Sequence, residues 1–319
     1  MKNEKIMGHL AAVVCVLIWG TTFISTKILL RGFGSVEILV IRFVIGLLAL
    51  NVACPRRMIL QDKKQEVYYA LAGLTGVALY YLLEIVALSY TFASNVGIII
   101  STAPFLTALV LHLCQKEETL LYRSFFVGFV VAFSGIVLIS LNGASFYLSP
   151  KGDFLTLGAA FVWALYSLFL KKINTFGYPT VLNTRRIFIW GIFFMIPISL
   201  LLGFDPDWGK LTEPIYLFNF LFLGICACAL CFAVWNYAVK VAGAVETSIY
   251  IYLTPIVTLA ASAVILQEPI TGLMMAGTIL TLAGLLISEI KPKENGNANE
   301  EESFEINTGN EKKCPDVEV

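Results

Sequence analysis

Ten long apolar segments, five in each half of the chain, constrain what this sequence can fold into more than any other feature. Each has roughly the 17–25 residues that an α-helix needs to cross a bilayer core. They occupy residues 9–30, 36–54, 67–91, 94–114, 122–141, 154–170, 181–203, 214–238, 242–266 and 270–290. An apolar fraction of 58% and a mean hydropathy of +0.81 agree with this assignment. The sequence therefore predicts an all-α membrane protein with ten transmembrane helices.

The two halves of the chain carry the same landmark residues in the same order. The matched pairs are Trp19 and Trp163, Lys27 and Lys171, Arg42 and Arg186, Pro104 and Pro255, Glu117 and Glu268, Gly128 and Gly277, and Gly135 and Gly284. Because each half has an odd number of helices, the second half enters the membrane from the opposite side. Inverted repeats of this kind are typical of secondary transporters. We expect one five-helix repeat over 9–142 and a second over 153–290.

The distribution of positive charge predicts the orientation in the membrane. If the N-terminus is cytoplasmic, 17 Lys and Arg residues fall in cytoplasmic loops and tails and 3 in external loops. Positive residues near helix ends are retained on the cytoplasmic side. We therefore expect a multi-pass protein of the cell (plasma or inner) membrane with both termini in the cytoplasm. Residues 291–319 are too polar to form a core and are predicted to be a disordered cytoplasmic tail.

Several other functions are disfavoured by the sequence. The net charge is zero, and the basic loops are explained by membrane topology, so no nucleic-acid partner is expected. The chain has no G-x-x-x-x-G-K-[ST] loop for ATP phosphates, and we expect no cofactor. Cys226, Cys228 and Cys231 would point to more than one helix face, which favours a packing role over a metal site. No set of catalytic residues stands out.

Short motifs connect the sequence to a known family. The first half contains W-G-T-T-F at residues 19–23 and A-L-x-Y-T-x-A-S at residues 87–94, followed by Pro104 and Glu117. The second half repeats the Trp, Pro, Glu and Gly landmarks, but has Ala164 where the first has Gly20. Over residues 9–290 the chain resembles the EamA family of the drug/metabolite transporter superfamily. The resemblance implies transport of a small metabolite without naming it.

Charged residues inside the apolar segments are candidates for function, because a charge at mid-membrane is costly and usually faces the bundle interior. Glu84 lies about 10 Å from the outer end of its predicted helix. It is either a substrate or proton site or the partner of Arg42 in an internal ion pair, and the two roles are compatible. By the inverted repeat, Arg186 and Glu246 are expected to form a second pair near the cytoplasm. Alternating formation of the two pairs is a candidate gating mechanism.

Aromatic and hydroxyl side chains at helical spacing predict the walls of a shared cavity. On the first and sixth helices, and beside Glu84 on the third, polar and aromatic residues follow one face. Further aromatic and amide residues lie on the eighth and ninth helices. The predicted binding residues are Trp19, Thr22, Phe23, Tyr80, Tyr81, Glu84, Trp163, Tyr166, Ser167, Trp235, Asn236 and Tyr250.

These residues predict an amphipathic solute of amino-acid or small-metabolite size, since apolar walls supply affinity and a few polar groups fix orientation. Without ATP chemistry, the expected function is secondary transport by alternating access, most plausibly export of amino acids or related solutes. Protons are a candidate coupling ion. The alternatives are a transport-like receptor or scaffold and an intramembrane enzyme. The glycine pairs Gly73 and Gly76, and Gly272 and Gly277, are compatible with either internal packing or a homodimer.

Overall fold

The computed structural model describes residues 2–115, 123–140, 150–288 and 290. Within these ranges the chain forms ten long apolar helices and one single-turn helix, Trp208–Leu211. The long helices are α1 (Lys2–Leu29), α2 (Ser35–Ala53), α3 (Gln65–Leu88), α4 (Ala93–Cys114), α5 (Arg123–Ser140), α6 (Pro150–Asn174), α7 (Thr180–Leu202), α8 (Pro214–Ala242), α9 (Ala244–Leu266) and α10 (Gly272–Ser288). Eight of them are long and apolar enough to cross a membrane, and the shorter α5 and α10 are also apolar.

Close packing of α5 on α10 shows how the two halves are related. A Cβ atom at Gly128 would lie 2.4 Å from the carbonyl oxygen of Gly284, and one at Gly135 would lie 2.6 Å from that of Gly277. The sequence repeat matches Gly128 with Gly277 and Gly135 with Gly284. Each contact is therefore the reciprocal of the other, as a two-fold axis requires.

Other equivalent helices also pair in antiparallel fashion. Arg185, near the start of α7, donates to the backbone carbonyls of Cys54 and Arg56, which follow the end of α2. Glu268, just beyond α9, accepts from the backbone N–H groups of Ala93 and Ser94 at the start of α4. The predicted fold, ten helices in two inverted repeats, is confirmed. We call the end of the bundle where α1 begins the N-terminal face and the other end the opposite face.

Four of the helices change their geometry near the middle of the bundle. The equivalent helices α3 and α8 contain π-helical segments, Leu74–Leu79 and Phe222–Leu230. Helix α4 is interrupted at residues 101–102, and α9 contains a 3₁₀ segment, Ile249–Leu253. Proline cannot donate the helical hydrogen bond, and Pro104 and Pro255 each stand two residues after the end of one of these last two irregular segments. The irregular helices thus form two equivalent pairs, α3 with α8 and α4 with α9.

The predicted tail, Glu117 and the glycines considered for a homodimer remain to be placed in the fold. The predicted tail at 291–319 and Glu117 lie outside the described residues. Of the glycines considered for a homodimer, Gly73 and Gly76 pack against α7 and Tyr166, and Gly277 packs against Gly135. These three positions are explained by packing within the bundle.

Candidate functional site

A cavity lies at the centre of the bundle, where the two repeats meet. Its walls come from α1, α3 and α4 of the first repeat and α6 and α9 of the second. The lining residues are Trp19, Thr22, Phe23, Tyr80, Tyr81, Glu84, Ile100, Ala103, Trp163, Ile251 and Thr254. Seven of the twelve predicted binding residues are among them. The cavity volume is about 30 Å³, enough for a water or two, since one water needs roughly 10–15 Å³.

Helical spacing explains why these side chains converge. On α1, Trp19, Thr22 and Phe23 are separated by three and four residues and share one face. On α3, Tyr80 and Glu84 are four residues apart and lie on the same face. The equivalent tryptophans of the two repeats meet edge to face, with 5.6 Å between the ring centroids of Trp19 and Trp163.

Four lining residues were missed by sequence reasoning, although the sequence contains a signal for them. Ile100 and Ala103 stand four and one residues before Pro104, and Ile251 and Thr254 stand four and one residues before Pro255. The repeat therefore supplies the same two positions from α4 and α9. Hydropathy and helical spacing alone do not indicate that the positions before these prolines line the cavity.

Two polar atoms in the cavity wall lack partners. Glu84 is 2% exposed and Trp163 is 4% exposed. Among the described residues, no hydrogen-bond partner reaches Oε1 of Glu84 or Nε1 of Trp163. Leaving a buried polar atom unpaired costs roughly 1–3 kcal/mol. The cavity thus holds an unused acceptor and an unused donor.

Arg42 lies behind the cavity wall rather than in it. Its guanidinium is fully buried and sits over the Tyr81 ring, 4.4 Å from the centroid, while Nε donates to the Cys228 sulfur at 3.4 Å. Nη1 of Arg42, like Oε1 of Glu84, has no partner among the described residues. The anticipated direct ion pair between Arg42 and Glu84 is therefore not formed, and the guanidinium contacts Tyr81 and Cys228 instead. Tyr81 lies three residues before Glu84 on α3, so both charged side chains lie beside the same part of that helix.

The expected pairing of Arg186 with Glu246 is wrong in this structure. Arg186 forms a close ion pair with Glu66, which also accepts from the indole N–H of Trp190. Glu66 lies in the first turn of α3, beside the first part of α7, whereas Glu246 is exposed at the start of α9. The ion pair thus ties the two repeats together at the N-terminal face.

The remaining predicted residues lie outside the cavity wall. Tyr166 donates to Oδ1 of Asn236 at 2.8 Å, and the amide of Asn236 donates to Thr184, so this polar network is satisfied internally. Trp235 packs on Trp19 with ring centroids 5.0 Å apart.

Ser167 and Tyr250 also lie outside the cavity wall. Ser167 bonds to the carbonyl of Trp163 in its own helix. Tyr250 packs against His9, near the start of α1.

A second cavity of about 440 Å³ is found at the opposite face. Lys27 lines it and donates to the backbone carbonyls of Leu88 and Thr91 at the end of α3. Glu268 also lines this vestibule and accepts from the Ser94 hydroxyl at 2.7 Å. Two cations, Lys27 and Arg31, and one carboxylate, Glu268, therefore border the vestibule. Of these, Lys27 and Glu268 bind the two ends of the loop between α3 and α4.

Comparison with known proteins agrees with this architecture. The model of the EamA-like transporter family matches the chain twice, over residues 6–141 and 150–289. The chain belongs to the EamA-like transporter family. It is a multi-pass membrane transporter rather than an enzyme.

Individual relatives span nearly the same length. An "uncharacterized transporter" of Archaeoglobus fulgidus is 29% identical, with 89% of this chain and 97% of that protein aligned. A "probable amino-acid metabolite efflux pump" of Salmonella typhimurium is 27% identical over 88% and 94% of the two chains. A solved crystal structure matches with a TM-score of 0.64 at 18% identity, covering 88% of this chain and 96% of that one. This last likeness concerns the fold.

Proposed function

We propose that this EamA-like protein is a secondary transporter that exports amino acids or related amphipathic solutes by alternating access. The central cavity supports the proposal, because residues of both repeats line it and it combines aromatic walls with one buried carboxylate. Apolar walls with a few polar groups suit a small amphipathic ligand. The Salmonella typhimurium relative, named as a probable amino-acid metabolite efflux pump, supports the same substrate class.

The size of the cavity supports a cycle with more than one conformation. A volume of about 30 Å³ cannot hold a metabolite. The solute must therefore enter when the lining helices separate. Contacts of Arg185 and Arg186 tie α7 to the α2–α3 region at the N-terminal face, while the vestibule lies at the opposite face. We propose that these inter-repeat contacts break and re-form during transport.

The charge distribution supports a cytoplasmic location for the N-terminal face and for both termini. A fluorescent protein fused after Val319 should therefore fluoresce in bacteria, and alkaline phosphatase fused at the same place should be inactive. A phosphatase inserted after Gly203, between α7 and α8, should be active. The reverse pattern would overturn the proposed orientation.

Filling the cavity tests the proposed function. In Ala103→Leu, three added carbon atoms enter the central cavity, since Ala103 is buried in its wall. We expect solute efflux from proteoliposomes to fall to background, with a stability cost of about 1–3 kcal/mol from overpacking. The assay uses a panel of labelled amino acids, sugars and nucleosides with and without a pH gradient, and thermal unfolding is recorded for the same samples.

Ala260→Leu is the matched control, because Ala260 is exposed on α9. It should transport like the wild type. Unchanged efflux in a folded Ala103→Leu protein would show that solutes do not pass through this cavity. If the wild type moves no solute on the panel, the transporter proposal for these substrates fails and a receptor role gains support.

A further inference from the structure

The equivalent tryptophans of the two repeats differ in how their indole N–H groups are used. The N–H of Trp19 donates to the backbone carbonyl of Ala227, at 3.1 Å, within the π-helical segment of α8. The N–H of Trp163 is buried in the wall of the same cavity and has no partner within the described part of the chain. Only one member of the pair therefore has a hydrogen bond left to offer a ligand.

The unused acceptor lies close to this unused donor. The ring centroid of Tyr80 is 5.0 Å from that of Trp163, and Tyr80 is one helical turn from Glu84 on α3. Oε1 of Glu84 and the Trp163 N–H consequently lie in neighbouring parts of one cavity wall. A ligand that enters the cavity when its walls separate would lie between these two side chains.

The charges around the cavity decide which chemical group suits which side chain. Glu84 is the one acidic or basic residue among those that line it. Arg42 is not among the lining residues, and its guanidinium lies against the Tyr81 ring. A carboxylate that faces a ligand without a cation beside it favours an amine, and a neutral N–H donor favours a carboxylate or carbonyl oxygen.

We infer that the cavity selects amphipathic amines that carry a separate hydrogen-bond acceptor, with the amine at Glu84 and the acceptor at Trp163. Free amino acids and their amides have this pattern, whereas sugars and simple fatty acids lack the amine. The inference rests on the proposed transport function and adds the determinants of specificity. It also assigns different roles to two tryptophans that the sequence repeat makes equivalent.

Matched triplets of solutes test the inference. We would measure binding to the purified full-length protein from the ligand-dependent rise in its thermal unfolding midpoint. The probes are leucine, valine and phenylalanine, each with its deaminated and its decarboxylated analogue. The proteins are the wild type, Glu84→Gln, Trp163→Phe and Trp19→Phe, the last as the matched control.

We expect the wild type to bind an amino acid at least about tenfold more tightly than either analogue. Glu84→Gln should weaken binding of the two amines and leave the deaminated analogue within about twofold. Trp163→Phe should weaken binding of the two carboxylates selectively. Trp19→Phe, which loses a bond to the protein itself, should weaken all three members of a triplet by a similar factor.

The inference is overturned if the wild type binds the deaminated analogues as tightly as the parents. It is also overturned if Glu84→Gln and Trp163→Phe weaken all members equally, as a purely structural role would require. Efflux of sugars or nucleosides, with no binding of any triplet, would overturn the inference and leave the transporter function standing. Absence of both binding and efflux would overturn the two together.

Discussion

Replacing Arg42 by methionine should destabilise the folded transporter by up to about 3–5 kcal/mol, the cost of removing one partner of a buried charge pair. Arg42 is completely buried and lies against Tyr81, three residues before the buried Glu84 on α3. Methionine retains much of the side-chain volume but leaves Glu84 without a compensating charge. The measurement is denaturant or thermal unfolding of the purified protein in detergent.

The double variant Arg42→Met with Glu84→Gln provides the control. If the charges compensate each other, the double variant should recover much of the stability lost in Arg42→Met, because no uncompensated charge remains. Strict additivity of the two single effects would contradict this coupling. In that case the contacts of Arg42 with Tyr81 and Cys228 alone would account for its burial.

Substituting alanine for Gly128 should separate α5 from α10 and reduce stability by at least about 2–3 kcal/mol. The new Cβ would meet the backbone of Gly284 and Ser288 at 2.4 Å, and a backbone cannot rotate away as a side chain can. The same loss is expected for Gly284→Ala, whose Cβ would approach the backbone nitrogen of Ala132 at 2.2 Å. The monodisperse fraction in size-exclusion chromatography and the thermal midpoint both report the effect.

Gly272→Ala is the matched change at an open position, because no described atom outside its neighbourhood lies within 4 Å of a Cβ there. It should be neutral or slightly stabilising, since alanine is the better helix former. If Gly128→Ala and Gly272→Ala behave alike, close approach of α5 and α10 does not limit stability.

The sequence was sufficient for the architecture and for much of the cavity wall. Segment length and hydropathy are enough to locate the transmembrane helices. In lipid the backbone N–H and C=O groups of a spanning segment must bond to one another, and an α-helix allows this. The faces of α1 and α3 were predictable for a similar reason, since spacings of three and four residues place Trp19 with Phe23, and Tyr80 with Glu84, on one side.

The remaining side chains could not be assigned because their roles depend on partners from distant segments. The amide of Asn236 is of a kind that often binds ligands, yet its hydrogen bonds are made to Tyr166 and Thr184 within the protein. The sequence repeat predicts that Arg186 pairs with Glu246 of its own repeat, whereas in the structure it pairs with Glu66 of the other repeat. The π-helical segments leave no mark on the hydropathy pattern, so the acceptor of the Trp19 N–H was equally hidden.

The π-helical segment of α3 has a mechanical consequence. A π turn accommodates one more residue than an α turn, so converting it to α geometry and re-forming it elsewhere moves that residue along the helix. The portion between the old and new positions turns by about 100°, one residue's share of a 3.6-residue turn. Both ends of α3 are held, by Arg186 at Glu66 and by Lys27 at Leu88. If the extra residue moved past Glu84, the part of α3 that carries Tyr80 and Glu84 would therefore rotate about the helix axis. The two ends of the helix would stay in place.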